Sequence, residues 1–302
     1  MEKLALNRSR RAFTRVGFAM LLMVSATVAL QFLLAWLFAQ YLENEWIRYI
    51  IMVLPQYLIA MPLAAMLIRR MPSLPAVQRK LGAGRFVIIM IVCFAVMYAG
   101  NLVGTLLNLM LQAIAGKEMS QPLFSLITDS GIWANLMFVV ILAPIAEELF
   151  FRKLLIPRLL PFGEKPAVIV SGLIFGLIHG NFTQFFYAFG LGIAFGFIFV
   201  KTGKLAYTII LHMFINLIGS VISLLLIDAS IVTAGLFGLL VICLVIAGIV
   251  LFFVNIKRTK MSRGLFGQPN GKAAVYLNPG VLLFFAGCAG LFALNTLSMF
   301  AV

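Results

Sequence analysis

The sequence predicts an all-α, polytopic transmembrane helical bundle of eight to nine spans. Hydrophobic residues make up 63% of the 302-residue chain and charged residues only 11%, whereas soluble domains are about 45–50% apolar. Apolar runs long enough to cross a hydrocarbon core of about 30 Å, which takes about 20 helical residues, recur along the whole chain. Basic residues cluster in alternate connections between these runs.

Nine spans are predicted, of which the fifth is short. Their approximate bounds are 16–42, 46–68, 86–114, 131–158, 166–180, 182–201, 205–227, 230–256 and 280–302. All but Arg48 and Lys117 of the 23 lysines and arginines then lie on one side, in the N-terminal segment, in alternate connections or at adjoining span ends. By the positive-inside rule that side is cytoplasmic, so the N-terminus is expected in the cytoplasm and the C-terminus outside.

The net charge of +14 is interpreted as a consequence of this topology. Basic residues beside a membrane attract anionic lipid headgroups, so anionic lipid is an expected partner. Binding to nucleic acid, the other usual meaning of a basic chain, is not expected here. The sequence therefore predicts an integral membrane protein.

Two adjacent glutamates interrupt the fourth apolar run, and membrane solubility does not explain them. A charged side chain at a bilayer centre costs roughly 2.5–3.5 kcal/mol on insertion scales. Glu148 and Arg152 are four residues apart, so they can pair on one helix face and hold the scaffold. Glu147 is rotated by about 100° from Glu148 and has no basic residue three or four positions later. It is therefore predicted to be the free carboxylate.

The two histidines of the chain, His179 and His212, both fall within predicted spans. With a rise of about 1.5 Å per residue, Glu147, His179 and His212 lie roughly 16, 21 and 12 Å from the nearest cytoplasmic charges. A site between facing helices requires such a similar depth on three helices. Asn216 follows His212 by four residues, so the imidazole and the carboxamide share a helix face.

Two kinds of chemistry fit these side chains. A buried carboxylate and an imidazole can activate water for attack on a carbonyl, and His212 with the Asn216 amide can donate to the resulting oxyanion. The alternative is a zinc site with Glu147, His179 and His212 as ligands and water in the fourth position. The single-helix signature with two histidines four apart is absent from the sequence, which disfavours zinc without excluding it. A zinc cofactor and a site without any cofactor both stay open.

Three ordered motifs resemble those of the CPBP family, which comprises the type II CAAX prenyl endopeptidases and their bacterial relatives in bacteriocin processing and immunity. The motifs are Glu147-Glu148-x-x-x-Arg152, Phe175-x-x-x-His179 and His212-x-x-x-Asn216. The resemblance implies an α-helical intramembrane endopeptidase in which Glu147 and His179 activate water and the third motif supports the oxyanion. It also implies a peptide or protein substrate at the membrane, and we expect the chain in the cytoplasmic (plasma) membrane of a prokaryote.

The resemblance divides the chain into three parts. Residues 86–227 form the expected protease core. Residues 1–85 supply a basic N-terminal segment and two transmembrane helices, and residues 228–302 supply two further helices with a basic cytoplasmic loop between them. The two outer parts are candidates for substrate specificity or for a partner surface.

Two other functions remain open from the sequence. Intramembrane glutamate and histidine residues also form proton relays, which would suit a transporter or proton-coupled permease. Many transporters contain internal repeats, and the sequence shows none. The second alternative is a catalytically silent immunity or scaffold protein of the same fold. Loss of function without loss of abundance on changing Glu147 would separate chemistry from scaffolding.

Overall fold

The computed structural model describes residues 2–118, 122–227, 229–256, 260–265 and 277–300. Nine helices, α1 to α9, form the bundle within these residues. Their bounds are Glu2–Leu37, Glu45–Ile68, Ala83–Ala115, Ile132–Phe162, Glu164–Leu177, Phe182–Thr202, Leu205–Leu226, Ile231–Ile256 and Pro279–Met299. A 3-10 turn, Ala39–Tyr41, follows α1, and a short helix, Pro122–Thr128, precedes α4.

Eight of the described helices are long and apolar enough to cross a membrane, judged by length and composition. The exception is α5, whose 14 residues extend about 21 Å, less than a hydrocarbon core of about 30 Å. The described residues contain no β-strand, and Gly163 and Arg263 form an isolated antiparallel bridge. The predicted all-α bundle of eight to nine spans is confirmed.

The first helix has different bounds from those predicted. It begins at Glu2 rather than near residue 16 and ends at Leu37 rather than near residue 42. Lysine and arginine are good helix formers, so the basic segment continues the helix beyond the apolar run that hydropathy detects. At the other end, the 3-10 turn tightens the chain and stops the helix.

The fifth predicted span, 166–180, also ends too late. Because α5 ends at Leu177, His179 lies in the turn after the helix and not inside a span. Gly180 adopts a left-handed φ of 67°, which glycine reaches without steric cost and which breaks the helix. Asn181 then caps α6, since its side chain accepts a hydrogen bond from the backbone N–H of Gln184 at 2.8 Å.

Three helices contain π-helical turns, which are wider than the α-helix. These turns span Pro55–Ala60 in α2, Asn135–Leu142 and Leu149–Leu155 in α4, and Leu217–Ile222 in α7. Proline lacks the backbone N–H and clashes with the carbonyl four residues earlier, and π turns adjoin Pro55 and Pro144. Such turns are frequent at functional sites, and here they flank Glu147, Glu148 and Asn216.

Glycines let α5 and α6 pack closely. A Cβ added to Gly192 would lie 2.8 Å from the Cα of Gly172, and one added to Gly176 would lie 2.9 Å from the Cβ of Phe189. No larger residue fits at these positions without displacing the neighbouring helix. Small residues at close helix contacts are typical of membrane bundles. The packing fixes the α5–α6 hairpin, whose tip carries His179.

The basic connections meet at one end of the bundle. Arg158 donates from Nε to the carbonyl of Ile68 and from Nη2 to the carbonyl of Arg69, each at 2.8 Å. Glu164 forms an ion pair with Lys201. The connections that follow α2, α4 and α6 therefore lie together, as the charge pattern predicts. That this end faces the cytoplasm stays a prediction.

Two further connections lie at the opposite end. Arg48 donates from Nη2 to the carbonyl of Asp129 at 3.3 Å, which joins the segment before α2 to the one before α4.

The predicted basic loop between α8 and α9 contacts the basic end of the bundle. Within this loop, the backbone N–H of Ser262 donates to the Glu164 carboxylate at 2.8 Å. Residues 257–259 and 266–276 of that loop lie outside the described residues.

Candidate active site

Charged side chains are buried in the middle of α4. The exposed fraction is 6% for Glu147 and 0% for both Glu148 and Arg152. A buried charge is costly unless it is paired. The Nε of Arg152 lies 3.0 Å from Oε2 of Glu148, so the pair expected from the four-residue spacing is present.

Three aromatic rings surround the Arg152 guanidinium. Its Cζ lies 4.9 Å from the ring centroid of Phe175, 5.6 Å from that of Phe195 and 5.8 Å from that of Phe151. Its terminal nitrogens have no hydrogen-bond partner among the described residues. The ring faces therefore supply electrostatic stabilisation to the buried cation, and Phe175, the first residue of the second motif, packs directly on it.

His212 on α7 approaches both glutamates. Its Nδ1 lies 3.2 Å from Oε1 of Glu148, and its Nε2 lies 3.7 Å from Oε2 of Glu147. An ionised carboxylate only accepts, so Nδ1 donates its proton to Glu148. The Nε2 distance is longer than a hydrogen bond. The structure thus brings α4 and α7 together at the glutamates and His212, as their similar predicted depths require. Nε2 of His212 faces Glu147.

Glu147 accepts a hydrogen bond from a residue outside the predicted site. The hydroxyl of Tyr57 on α2 donates to Oε1 of Glu147 at 2.6 Å. The prediction of a free carboxylate is therefore wrong, because helical phase considers only partners on the same helix. No motif marks Tyr57, and tyrosine is common in membrane helices near the interfaces. Only its polar hydroxyl within the second predicted span could have drawn attention to it.

His179 lies in the turn after α5 and joins the same cluster. Its Nδ1 donates to the carbonyl of Phe175 at 2.6 Å, since a carbonyl can only accept. In the neutral ring, Nε2 is then the unprotonated nitrogen. The Phe175 ring lies 5.1 Å from the ring of His179 and 5.7 Å from that of His212, between centroids. Glu147 is among the charges that act on His179 electrostatically.

The turn that carries His179 is fixed by its own hydrogen bonds. The Nδ2 of Asn181 donates to the carbonyl of His179 at 2.9 Å and to Oε1 of Gln184 at 2.6 Å. Gly180 sits against α9, because a Cβ there would lie 2.6 Å from the side chain of Leu291. The position of His179 therefore depends on packing between the hairpin and the last helix.

Asn216 faces α4 one turn beyond His212. The side-chain Nδ2 of Asn216 donates to the backbone carbonyl of Val139 at 2.8 Å. The backbone carbonyl of Asn216 accepts from the hydroxyl of Ser220 at 2.7 Å. A primary amide has two N–H donors, so the bond to Val139 uses one of them. This bond ties α7 to the π turn of α4 that precedes the glutamates.

The three ligands of the alternative zinc site are not grouped in the structure. Within the part of the chain that the structure describes, no group of three His, Cys, Asp or Glu side chains is placed to hold a metal ion. Glu147, His179 and His212 thus do not fit a three-ligand zinc site in this arrangement.

These features define a helical membrane protein with a polar site buried between its helices. Residues 129–218 match the family model described as Type II CAAX prenyl endopeptidase Rce1-like. This segment contains all three motifs, from Glu147 to Asn216. This segment is therefore similar to that family, and the resemblance found from the motifs is confirmed.

Three curated relatives share the same region. The membrane-embedded CAAX protease MroQ of Staphylococcus aureus (strain USA300) is 35% identical over 88 residues, which cover 27% of this chain and 36% of that protein. CAAX prenyl protease 2 of Homo sapiens is 33% identical over 100 residues, covering 26% and 30%. CAAX prenyl protease 2 of Arabidopsis thaliana is 31% identical over 114 residues, covering 30% and 35%.

The similarity is confined to part of each protein. The chain spans about a third of the length of the relatives it matches, and no solved structure matches it. The family match begins at residue 129, so it includes α4 to α7 up to residue 218. Tyr57 on α2 lies outside it.

Proposed function

We propose that the chain is an intramembrane endopeptidase that hydrolyses a peptide bond of a membrane-associated or lipidated peptide or protein. The observation that carries the proposal is the buried approach of His212 to both Glu147 and Glu148, within a segment that matches an endopeptidase family. A carboxylate beside imidazoles in a site of low dielectric constant is suited to proton transfer with water. The relatives' names, which describe CAAX proteases, agree with this chemistry.

Glu147 and His179 are assigned to activate the water. Oε1 of Glu147 is bound by Tyr57, which leaves Oε2 to accept a proton. Nδ1 of His179 is bound to the carbonyl of Phe175, which leaves Nε2 as the basic nitrogen. A positioned general base typically accelerates such a step by about 10²–10⁴-fold.

His212 and Asn216 are assigned to the oxyanion. The water oxygen adds to the carbonyl carbon as its proton passes to Glu147, and negative charge develops on the carbonyl oxygen. The second N–H of the Asn216 amide, and Nε2 of His212 when it carries a proton, can donate to that oxygen. The C–N bond then breaks, and the proton held by Glu147 moves to the leaving amine.

Glu148, Arg152 and Phe175 are assigned to the scaffold. Glu148 holds His212 by Nδ1 and is itself neutralised by Arg152. These contacts fix the ring orientation of His212, as carboxylate–histidine pairs commonly do.

We propose that the basic end of the bundle contacts anionic lipid. The chain is proposed to lie in the cytoplasmic (plasma) membrane of a prokaryote. Exposed Arg10, Arg11 and Arg15 on α1 line a groove with the apolar side chains of Phe18 and Leu67. None of these arginines forms an ion pair with a described acidic side chain. Guanidinium groups above an apolar surface complement a phosphate headgroup and its acyl chains.

Hydrolysis can be tested with protein reconstituted in lipid nanodiscs. The probe is a peptide that ends in a prenylated CAAX sequence and carries a fluorophore and a quencher, with the unprenylated peptide in parallel. We expect cleavage by the native protein and none by Glu147→Gln. Quantitative membrane proteomics of cells with either form would then identify natural substrates.

The same pair of proteins separates the other candidate functions. A catalytically silent scaffold would keep its cellular phenotype in Glu147→Gln and would leave the membrane proteome unchanged. A proton-coupled permease would show substrate-dependent proton flux in liposomes without new peptide ends. Either result, together with the absence of cleavage, would contradict the endopeptidase proposal.

A further inference from the structure

We propose that Tyr57 is a positioning residue of the hydrolytic site, which holds Glu147 so that Oε2 faces the reacting water. The inference rests on the proposed function and deepens it. It adds to the site a residue from α2, a helix that the family match does not include.

The contact has the geometry of a strong hydrogen bond. The Tyr57 hydroxyl lies 2.6 Å from Oε1 of Glu147, within the range of about 2.5–2.7 Å that is usual for a hydroxyl donating to a carboxylate. Glu147 is only 6% exposed, so water competes weakly for this oxygen. A charge-assisted hydrogen bond in such surroundings is stronger than one at the surface.

The bond distinguishes the two oxygens of Glu147. Oε1 is occupied by Tyr57, whereas Oε2 lies 3.7 Å from Nε2 of His212. A glutamate side chain has three rotatable bonds, and a donor on one oxygen restricts them to conformations in which the other oxygen keeps one direction. A general base must lie within hydrogen-bond reach of the proton that it abstracts, so this restriction prepares Glu147 for the reaction.

The backbone of α2 explains how Tyr57 reaches α4. Tyr57 lies within the π turn Pro55–Ala60, and a π turn rotates the following side chains relative to a regular helix. Elsewhere α2 packs on α4 through Tyr49, whose hydroxyl donates to Oδ1 of Asn135 at 2.7 Å. Two tyrosines of α2 therefore donate to α4, one at the site and one outside it.

This arrangement provides a matched test. Tyr57→Phe removes only the hydroxyl at Glu147, and Tyr49→Phe removes a buried hydroxyl that bonds the same helix away from the site. We expect Tyr57→Phe to lower kcat for the fluorogenic peptide by about tenfold to a hundredfold, the range for losing a hydrogen bond to a charged group. KM should stay within about twofold. Tyr49→Phe should lower thermal stability and leave kcat unchanged.

Rates are expressed per folded, monodisperse protein, so that loss of folding is not counted as loss of catalysis. A kcat for Tyr57→Phe within twofold of native, or an equal fall in both variants, would overturn the positioning role. So would an increase in KM alone.

A double-mutant cycle on thermal stability checks the contact without activity. Tyr57→Phe and Glu147→Ala should be non-additive, because each removes a partner of the same bond. Additive shifts in Tm would overturn the contact itself. Native protein that cleaves nothing, with a non-additive cycle, would instead contradict the proposed function while leaving the Tyr57–Glu147 bond established, which makes the two failures distinguishable.

Discussion

The two glutamates of α4 are neighbours in the chain but have opposite surroundings. Glu148 is fully buried between two nitrogen partners, Arg152 at 3.0 Å and His212 at 3.2 Å. Glu147 accepts from a neutral donor, Tyr57, on one oxygen, and its other oxygen makes only the longer approach of 3.7 Å to His212. One carboxylate is thus neutralised by its neighbours, and the other keeps an oxygen that can take a proton.

The difference follows from the rotation of about 100° between successive helix residues. It turns Glu148 toward Arg152 on its own helix and Glu147 toward α2. A buried acidic pair can thus have two roles, with one member stabilising the bundle and the other keeping an oxygen that can accept a proton.

The largest expected effect is loss of hydrolysis when the residues proposed to activate water are changed. Glu147→Gln and His179→Ala should each lower the rate by at least about two orders of magnitude, because general base catalysis of this kind contributes about 10²–10⁴-fold. Turnover of the fluorogenic peptide measures the rate, and thermal unfolding confirms that each variant is folded. Activity within tenfold of native in either variant would remove that residue from the assigned role.

The next largest effect is loss of stability when the ion pair of Glu148 with Arg152 is broken. Arg152→Ala leaves Glu148 buried without its cation, and breaking a buried pair in this way costs about 3–5 kcal/mol. We expect lower abundance in the membrane and a lower Tm, accompanied by reduced activity.

A matched double variant sharpens this prediction. Glu148→Gln with Arg152→Met removes both charges together, so it should recover much of the stability lost in Arg152→Ala. If Arg152→Ala were as stable as the native protein and yet inactive, Arg152 would belong to the chemistry, and the proposed division between the two glutamates would fail.

A smaller effect is expected at the turn that positions His179. Gly180→Ala forces a left-handed backbone, at a cost of about 1–2 kcal/mol, and places a methyl group against Leu291. Displacement of His179 should lower kcat by about tenfold or more. Peptide cleavage and thermal unfolding, measured on the same preparation, test both effects.

The control is Gly116→Ala at the end of α3. Gly116 has nearly the same conformation, φ 64°, but a Cβ there meets no atom within 4 Å. This variant should lose comparable stability and keep its activity. Equal loss of activity in both variants would show that backbone strain alone, and not the position of His179, lowers the activity.

The smallest expected effect is that of metal removal. Glu147, His179 and His212 are not grouped as metal ligands in the described structure, so full activity should persist after exhaustive chelation. Elemental analysis of the pure protein accompanies the assay. Near-stoichiometric zinc, with activity lost on its removal and restored on its return, would overturn the assignment of Glu147 as general base and make these three residues ligands.

The helices and the family could be predicted from the sequence because both depend on local patterns. Hydropathy detects an apolar run of about 20 residues wherever it lies, and its errors fell at helix ends, as at Glu2 and Leu177, where basic helix formers or a left-handed glycine decide the boundary. The Glu148–Arg152 pair followed from spacing on one helix. The three motifs indicated the resemblance to the family without any knowledge of how the helices pack.

The tertiary structure alone decided how the site is shared between helices. Tyr57 meets Glu147 across 90 residues of chain, and His212 lies between both glutamates. π turns in α2, α4 and α7 rotate the side chains beside these contacts, and such turns leave no periodic pattern in the sequence. Spacing along one helix therefore determined which charges could pair locally, whereas packing between helices determined which oxygen of Glu147 remains available for chemistry.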